Sequence, residues 1–187
     1  MEIIPLITIE KRKIIQKSFS SFKTNTKKGE NKIYILDLDG IKKNRPNLCT
    51  YQKLSKYYDI WADSAPKELG DVVDSFMSGV TSIVIRQKEY ANFNPSKIKE
   101  ISNNNIFLTI ENEENETDFL EHKKEIDGFI NFKKREQIQS NFKYKEVIKP
   151  LKESTYNYEE NHENLDYWKK SGIKGLIVDI DKINRFR

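Results

Sequence analysis

The stretch Ser78-Gly-Val-Thr-Ser-Ile-Val-Ile85 decides the fold of this chain. It indicates the end of a helix, a glycine turn and a strand that is apolar at most positions. The segment before it, Lys67–Ser78, predicts a core-facing helical stripe made of Leu69, Val72, Val73 and Phe76. A nearly continuous apolar strand is typical of a parallel sheet that is covered on both faces. This stretch therefore favours an α/β protein.

Eight short apolar runs along the chain are predicted to be strands, and helix-like segments separate most of them. These runs are Glu2–Ile9, Lys32–Asp37, Asp59–Ala62, Thr81–Arg86, Ile106–Glu111, Gly128–Phe132, Glu146–Lys149 and Gly175–Val178. Alternation of strand and helix predicts a parallel sheet. Eight strands favour closure into a (β/α)8 TIM-type barrel, with an open sheet as the alternative. We therefore predict a single barrel domain over residues 1–187.

The predicted barrel is trimmed in two places. Only polar loop residues lie between Ile15 and Lys32, so helix 1 is missing, and the short run after Asp179 reduces the final unit. The stretch Ser171-Gly-Ile-Lys-Gly-Leu-Ile-Val178 resembles the stretch at 78–85. Duplication of a half-barrel, with halves 1–93 and 94–187, explains this likeness, and so does convergence of two similar αβ units.

Composition and charge narrow the classes of function. The 33 basic and 29 acidic residues leave a formal net charge of +4, and the early lysines fall in a Ser/Thr/Asn-rich segment. We therefore expect no nucleic-acid partner, and RNA binding through this lysine-rich loop is a distant alternative. The single Cys49 excludes an internal disulfide and a paired-cysteine metal site, and we expect neither a metal nor a cofactor. No apolar run is long enough to span a membrane, so a cytoplasmic protein is expected.

The candidate site lies at the predicted strand ends, because barrels of this kind carry their active sites where the C-terminal ends of the strands meet. The polar candidates there are Asp37, Asp39, Asp63, Ser64, Arg86, Glu111 and Lys149. Carboxylates that converge at such a mouth can raise one pKa and form a general acid/base pair. The alternative for each residue alone is a solvated strand end, where the chain emerges into water.

Asp37-Leu-Asp-Gly-Ile41 is the sharpest local motif. On a strand its two aspartates point the same way, two residues apart, and Gly40 permits a tight exit. Such a pair can bind a metal or orient a substrate amine. The alternative is that one aspartate caps the segment that follows.

Three stretches resemble the histidine-biosynthesis barrels: Ile3-Ile-Pro-Leu-Ile-Thr-Ile9, the run Lys13-Ile-Ile-Gln16, and the strand-two signature at Leu36–Gly40. That family holds phosphoribosylformimino-aminoimidazole carboxamide ribotide isomerase and the imidazole glycerol phosphate synthase cyclase. The chain looks most similar to a divergent, archaeal-type related member. The resemblance implies that it binds, or isomerises by an Amadori-type reaction, a phosphorylated sugar- or nucleotide-derived metabolite.

The first hypothesis, an enzyme or ligand binder related to the isomerase, gives roles to the strand-end residues, with Asp37 substituting for the family's strand-one aspartate. Glu111 and Asp37 would share the acid/base work, and Arg86 or Lys149 would meet an anion. The substrate would be held by Asp39, Asp63 and Ser64.

Several departures from the family pattern support a second function. Thr8 stands where the family has its strand-one aspartate, and a threonine cannot serve as a carboxylate acid or base. Ala62-Asp-Ser-Ala65 stands where phosphate-binding glycines are expected, and Asp179-Ile-Asp181 would repel a phosphate. The alternative is therefore a non-catalytic barrel that serves as a regulatory or assembly module. The flank left open by the missing helix suggests a homodimer or a partner protein.

Overall fold

The computed structural model describes residues 1–22, 31–110, 125–132 and 154–186 of the chain. Eight parallel strands form a closed barrel, because the first strand pairs with the last as well as with its neighbour along the chain. They are β1 (Glu2–Glu10), β3 (Lys32–Asp37), β4 (Asp59–Asp63), β5 (Val80–Ile85), β6 (Asn105–Ile110), β7 (Gly128–Asn131), β8 (Thr155–Tyr158) and β9 (Gly175–Asp179). A short strand, β2 (Lys13–Ile14), pairs antiparallel with β1. The predicted (β/α)8 TIM-type fold is confirmed.

The position predicted for the seventh barrel strand, Glu146–Lys149, was wrong. The place between β7 and β9 is taken by Thr155–Tyr158, whereas Glu146–Lys149 lies outside the described residues. The strand β8 alternates aromatic side chains that face the barrel interior with polar ones, so it contains no continuous apolar run. Tyr156 belongs to the interior core and Tyr158 packs against it. A search for apolar runs passes over such a strand.

Five helices surround the described part of the sheet. They are α1 (Leu38–Lys43), α2 (Leu48–Leu54), α3 (Leu69–Met77), α4 (Pro95–Ile101) and α5 (Leu165–Ser171). In the described part of the connection between β2 and β3 there is only a 3-10 turn, Lys17–Ser21, and another, Ile183–Arg185, follows β9. Residues 23–30 of the first connection lie outside the described residues, so the predicted loss of helix 1 stays a prediction. No helix in the described ranges is long and apolar enough to cross a membrane.

The core-facing stripe predicted for α3 was only partly right. Val72 is fully buried and Phe76 packs against the outer core, but Leu69 and Val73 are 37% and 38% exposed. The buried face of the helix is completed instead by Ser75, whose hydroxyl donates to the Asp71 carbonyl at 2.8 Å. Because this hydroxyl is satisfied within the helix, a polar residue can face the sheet.

The sheet separates two apolar cores. Alternate residues of each strand face opposite ways, so in β1 Ile7 and Ile9 join the outer core against the helices, while Ile4 and Leu6 join the inner one. The inner core is aromatic, and the ring of Trp61 stacks on that of Phe107 with centroids 4.1 Å apart. Tyr156 packs edge-on against Trp61 at 4.9 Å. Packed side chains fill the middle of the barrel, so a ligand can approach it at the ends of the strands.

Candidate functional site

A buried ion pair lies inside the barrel at the C-terminal end of the strands. Strand register places Thr8, Leu36 and Asp63 side by side on the inner face of β1, β3 and β4. Asp63 is fully buried, and its Oδ1 and Oδ2 accept hydrogen bonds from Nε and Nη2 of Arg86 at 3.0 and 2.8 Å. The hydroxyl of Tyr34 donates to Oδ2 at 3.0 Å. The structure thus brings together two of the predicted site residues, Asp63 and Arg86.

The two members of this pair differ in exposure. The side chain of Arg86 is 20% exposed, whereas that of Asp63 is inaccessible. A bidentate carboxylate holds a guanidinium in a fixed orientation, and a planar guanidinium matches the oxygens of a phosphate or carboxylate. The pair therefore presents its positive member to the mouth of the barrel.

A second polar network lies beside Thr8. The backbone N–H of Thr8 donates to Oε1 of Gln16 at 2.8 Å, and Nε2 of Gln16 donates to Oγ1 of Thr8 at 3.2 Å. The same Nε2 donates to Oδ2 of Asp179 at 3.1 Å. Gln16 thereby connects the ends of β1 and β9. The sequence analysis used Gln16 only as part of a resemblance and did not predict its role at the mouth. The feature that could have indicated this role is a polar side chain directly after the short strand β2.

An apolar wall completes the described part of the mouth. Leu36, Phe132 and Tyr158 are partly buried and pack against the inner core. The rings of Phe132 and Tyr158 lie with centroids 5.6 Å apart. Burial, followed by a hydrogen bond to Glu160, raises the pKa of the Tyr158 hydroxyl, which therefore stays a neutral donor. Such a wall suits the apolar face of a sugar or a heterocycle.

Asp37 lies on the opposite face of the sheet. It pairs in register with Ile9, whose side chain belongs to the outer core. Its carboxylate accepts from the backbone N–H groups of Asp39 and Gly40 at 3.1 and 3.2 Å, and so caps α1. The expectation that Asp37 and Asp39 share one strand was wrong, because β3 ends at Asp37 and Asp39 lies in the first turn of α1. The capping alternative is the observed structure.

Three further donors saturate the carboxylate of Asp37. Asn47 donates twice, from its backbone N–H to Oδ2 at 2.7 Å and from Nδ2 to Oδ1 at 2.8 Å. The hydroxyl of Tyr51 donates to Oδ2 at 2.6 Å. Two carboxylate oxygens offer about four lone-pair sites, and five donors occupy them here. Asp37 therefore has no part in the chemistry proposed below.

Ser64 lies against Gly40 of α1 and interacts with Tyr51 of α2. Burial raises the pKa of the Tyr51 hydroxyl well above its usual value, and the charge of Asp37 and the bond to it act in the same direction. A hydrogen bond with Ser64 opposes this shift. Gly40 of α1 lies so close to Ser64 that an added Cβ would come within 2.7 Å of the serine Cβ. Ser64 is therefore buried in a contact between β4 and α1.

Ala65, which follows Ser64, has a φ of 51°. This is the left-handed conformation that favours glycine. The backbone at this point thus adopts a conformation in which glycine is usual, although the residue is an alanine.

Asp39 lies on the outer rim of the mouth and forms part of a small pocket. Its oxygens accept from the backbone N–H groups of Lys11 and Arg12 at 3.0 and 2.8 Å, and from Nδ2 of Asn47 at 3.1 Å. The bond from Arg12, then that from Asn47, lowers the pKa of Asp39, and the bond from Lys11 adds to this shift. The pocket has a volume of about 330 Å³ and is lined by Lys11, Arg12, Asp39, Lys43, Arg45, Pro46 and Asn47. We call it the rim pocket.

Two predicted site residues, Glu111 and Lys149, lie outside the described residues. In the part of the chain that the structure describes, no group of three or more His, Cys, Asp or Glu side chains is arranged to hold a metal ion. The predicted roles of Glu111 and Lys149 stay predictions.

The fold places the chain in the class of (β/α)8 barrels with a polar C-terminal mouth. No protein-family model matches the chain, and no curated protein matches it. The resemblance to the histidine-biosynthesis barrels therefore rests on the residues quoted from the sequence.

Proposed function

We propose that the barrel binds a small phosphorylated sugar- or nucleotide-derived metabolite at its C-terminal mouth, as the resemblance to the isomerase and the cyclase implies. The observation that carries the proposal is the Asp63–Arg86 pair, which turns its cation toward the mouth. Removing two charges from water is costly. Beside the apolar and aromatic side chains of the inner core, such a pair contributes most when it also holds a ligand. The site would act in the cytoplasm.

In a catalytically active form, the reaction is an intramolecular Amadori-type isomerisation. It needs one general acid and one general base. The sequence offers Glu111 directly after β6, and the mouth offers Asp179, which Gln16 connects to the position of Thr8. Gln16 bonds to both Asp179 and Thr8, and Thr8 stands at the position of the strand-one aspartate in the family that the chain resembles. We therefore assign the second acid/base role to Asp179.

The binding proposal is tested by thermal unfolding with and without the bisphosphorylated substrate of the isomerase. A ligand at roughly 100 times its dissociation constant stabilises a protein by about 2.7 kcal/mol, a shift of several degrees for a domain of this size. The control is the double variant Asp63→Leu/Arg86→Met, which removes both charges together and should show no shift. An equal shift in this variant would place the ligand elsewhere.

The catalytic proposal is tested separately with Glu111→Gln. This substitution keeps size and polarity but removes the acid/base function, so turnover should fall by several orders of magnitude without loss of the fold. An unchanged rate contradicts the isomerase assignment.

The second candidate is a non-catalytic barrel that serves as a regulatory or assembly module. The observation that favours it is the pair of closed networks around Thr8 and Asp37, in which the hydrogen bonds go to the chain itself. This candidate predicts no thermal shift with the phosphorylated substrate. It also predicts a homodimer or a complex with a partner protein, which light scattering after size-exclusion chromatography detects.

A further inference from the structure

The β1–β2 hairpin turns on two cationic residues in an unfavourable conformation. Glu10 pairs with Lys13, so Lys11 and Arg12 form a two-residue loop. Their φ angles are 50° and 64°, both in the left-handed region. Two-residue hairpin loops with positive φ at both positions strongly prefer Asn-Gly or a similar pair, because a Cβ is disfavoured there. The sequence thus keeps long cationic side chains where small residues would be more stable.

Asp39 holds this turn in place. Its carboxylate accepts from both backbone N–H groups of the turn, and its lowered pKa keeps it ionised. The side chains of Lys11 and Arg12 are left exposed at the rim. Backbone strain that the surrounding structure maintains is found most often at functional sites.

A second segment brings two more cations to the same place. Lys43 ends α1, Asn44 follows with a left-handed φ of 51°, and Arg45 comes next. Four cationic side chains and one carboxylate line the rim pocket, which gives it a formal net charge of +3. Within the described ranges, no ion pair is formed by any of these four cations.

Lys42 differs from the four cations of the rim pocket, because it forms an ion pair and does not line the pocket. It lies on the same helix as Lys43 but pairs with Glu10 at 2.9 Å. Glu10, the acidic residue of the hairpin strand, therefore pairs with a lysine that does not line the pocket. Asp39 offsets only part of the cationic charge, so the rim pocket keeps a net positive charge.

We propose that the rim pocket is a second anion site, which binds a diphosphate-like group of a small metabolite. A volume of about 330 Å³ falls at the lower end of small-molecule sites. About three negative charges on one compact group would match the formal net charge of +3 that the lining residues carry. The pocket lies outside the barrel, between the hairpin and α1, so the proposal does not depend on the site at the mouth.

The test is isothermal titration of the full chain with inorganic pyrophosphate at low ionic strength. The informative variant is Lys11→Asn/Arg12→Gly, which installs a preferred turn pair while it removes two pocket cations. We expect the dissociation constant of pyrophosphate to rise at least about tenfold for each charge-assisted hydrogen bond that the variant removes, with an unfolding temperature that is unchanged or higher. The matched control is Lys53→Gln/Lys56→Gln, which removes two exposed charges near the far end of α2 and should bind as the wild type does.

Two results overturn the proposal. Equal affinity of wild type and Lys11→Asn/Arg12→Gly places the anion elsewhere, and equal weakening by the control pair shows unspecific charge attraction. If the turn variant does not fold, Lys43→Gln/Arg45→Gln tests the other side of the pocket with the same expectation. A short oligonucleotide that binds through these residues more tightly than pyrophosphate would show that the ligand class is wrong.

Discussion

Asp37 and Asp63 end neighbouring strands, both are fully buried and both accept a hydrogen bond from a tyrosine hydroxyl, yet the rest of their surroundings differ. Asp37 lies on the outer face of the sheet and accepts hydrogen bonds from neutral donors that belong to the fold. Asp63 lies on the inner face, and its main partner is a cation that reaches the mouth. Both aspartates are the last residue of their strand, yet they have different roles. Side chains alternate between the two faces of a strand, so Asp37 faces the helix layer and Asp63 faces the barrel axis.

The largest loss of stability is expected from Asp37→Ala. This substitution removes the cap of α1 and takes away the acceptor of the buried Tyr51 hydroxyl and one acceptor of the half-buried Asn47, so we expect a loss of about 3–5 kcal/mol in the free energy of unfolding. Urea denaturation measures it. A loss under about 1 kcal/mol would contradict a structural role for this carboxylate.

Arg86→Met breaks the inner pair and is expected to cost about 3 kcal/mol, because the charge of Asp63 is left buried and unpaired. The double variant Asp63→Leu/Arg86→Met should recover most of this loss, since it removes both charges. Such recovery would show that the inner pair is dispensable for the fold, whereas Asp37 is not. If the double variant is as unstable as Arg86→Met alone, the pair also has a structural role.

Tyr51→Phe removes a single donor from Asp37 and should lower the free energy of unfolding by about 1–2 kcal/mol, as measured by urea denaturation.

The same variant tests how the stability of the protein depends on pH. The pKa of Tyr51 is raised by folding, so the stability linked to it is complete below the ordinary tyrosine pKa of 10.0 and is lost as the pH rises above that value. In the phenylalanine variant, this alkaline loss of stability should be smaller than in the wild type.

The smallest change in stability is expected for Asp39, whose carboxylate accepts hydrogen bonds from the backbone of the Lys11–Arg12 turn. Its pKa is lowered by folding, so the stability linked to it is present above the ordinary value of 3.8 and is lost as the pH falls below that value. The amide resonances of Lys11 and Arg12 should therefore shift in acid, as NMR spectra recorded across this range would show. In Asp39→Asn these resonances should no longer titrate, and titration that persists would assign the effect to another group.

Most of the fold follows from the sequence, because buried parallel strands appear as apolar runs and helices separate them. The strand β8 was missed since aromatic and polar residues alternate in it. Asp63 and Arg86 were found as polar residues at strand ends, but sequence gives no sign that they bind each other. Asp37 and Asp39 were placed on one strand because nothing local shows that α1 begins without an intervening loop.

Gln16 was overlooked for a related reason. Its partners, Thr8 and Asp179, come together only when the barrel closes and the hairpin folds back. Contacts between segments so far apart in the chain are set by topology. Periodicity within one segment does not reveal them.

The pairing of β1 with β9 has a consequence for synthesis of the chain. Residues 2–6 lie against residues 175–179 in this seam. At ribosomal rates of about 5–20 residues per second, β1 waits on the order of ten seconds or more before its second neighbour exists. Throughout that time one edge of β1 exposes unpaired backbone groups, and such an edge is a template for strands of other chains. In the finished barrel β9 covers this edge, so β1 is protected on both sides only once the last strand has been made.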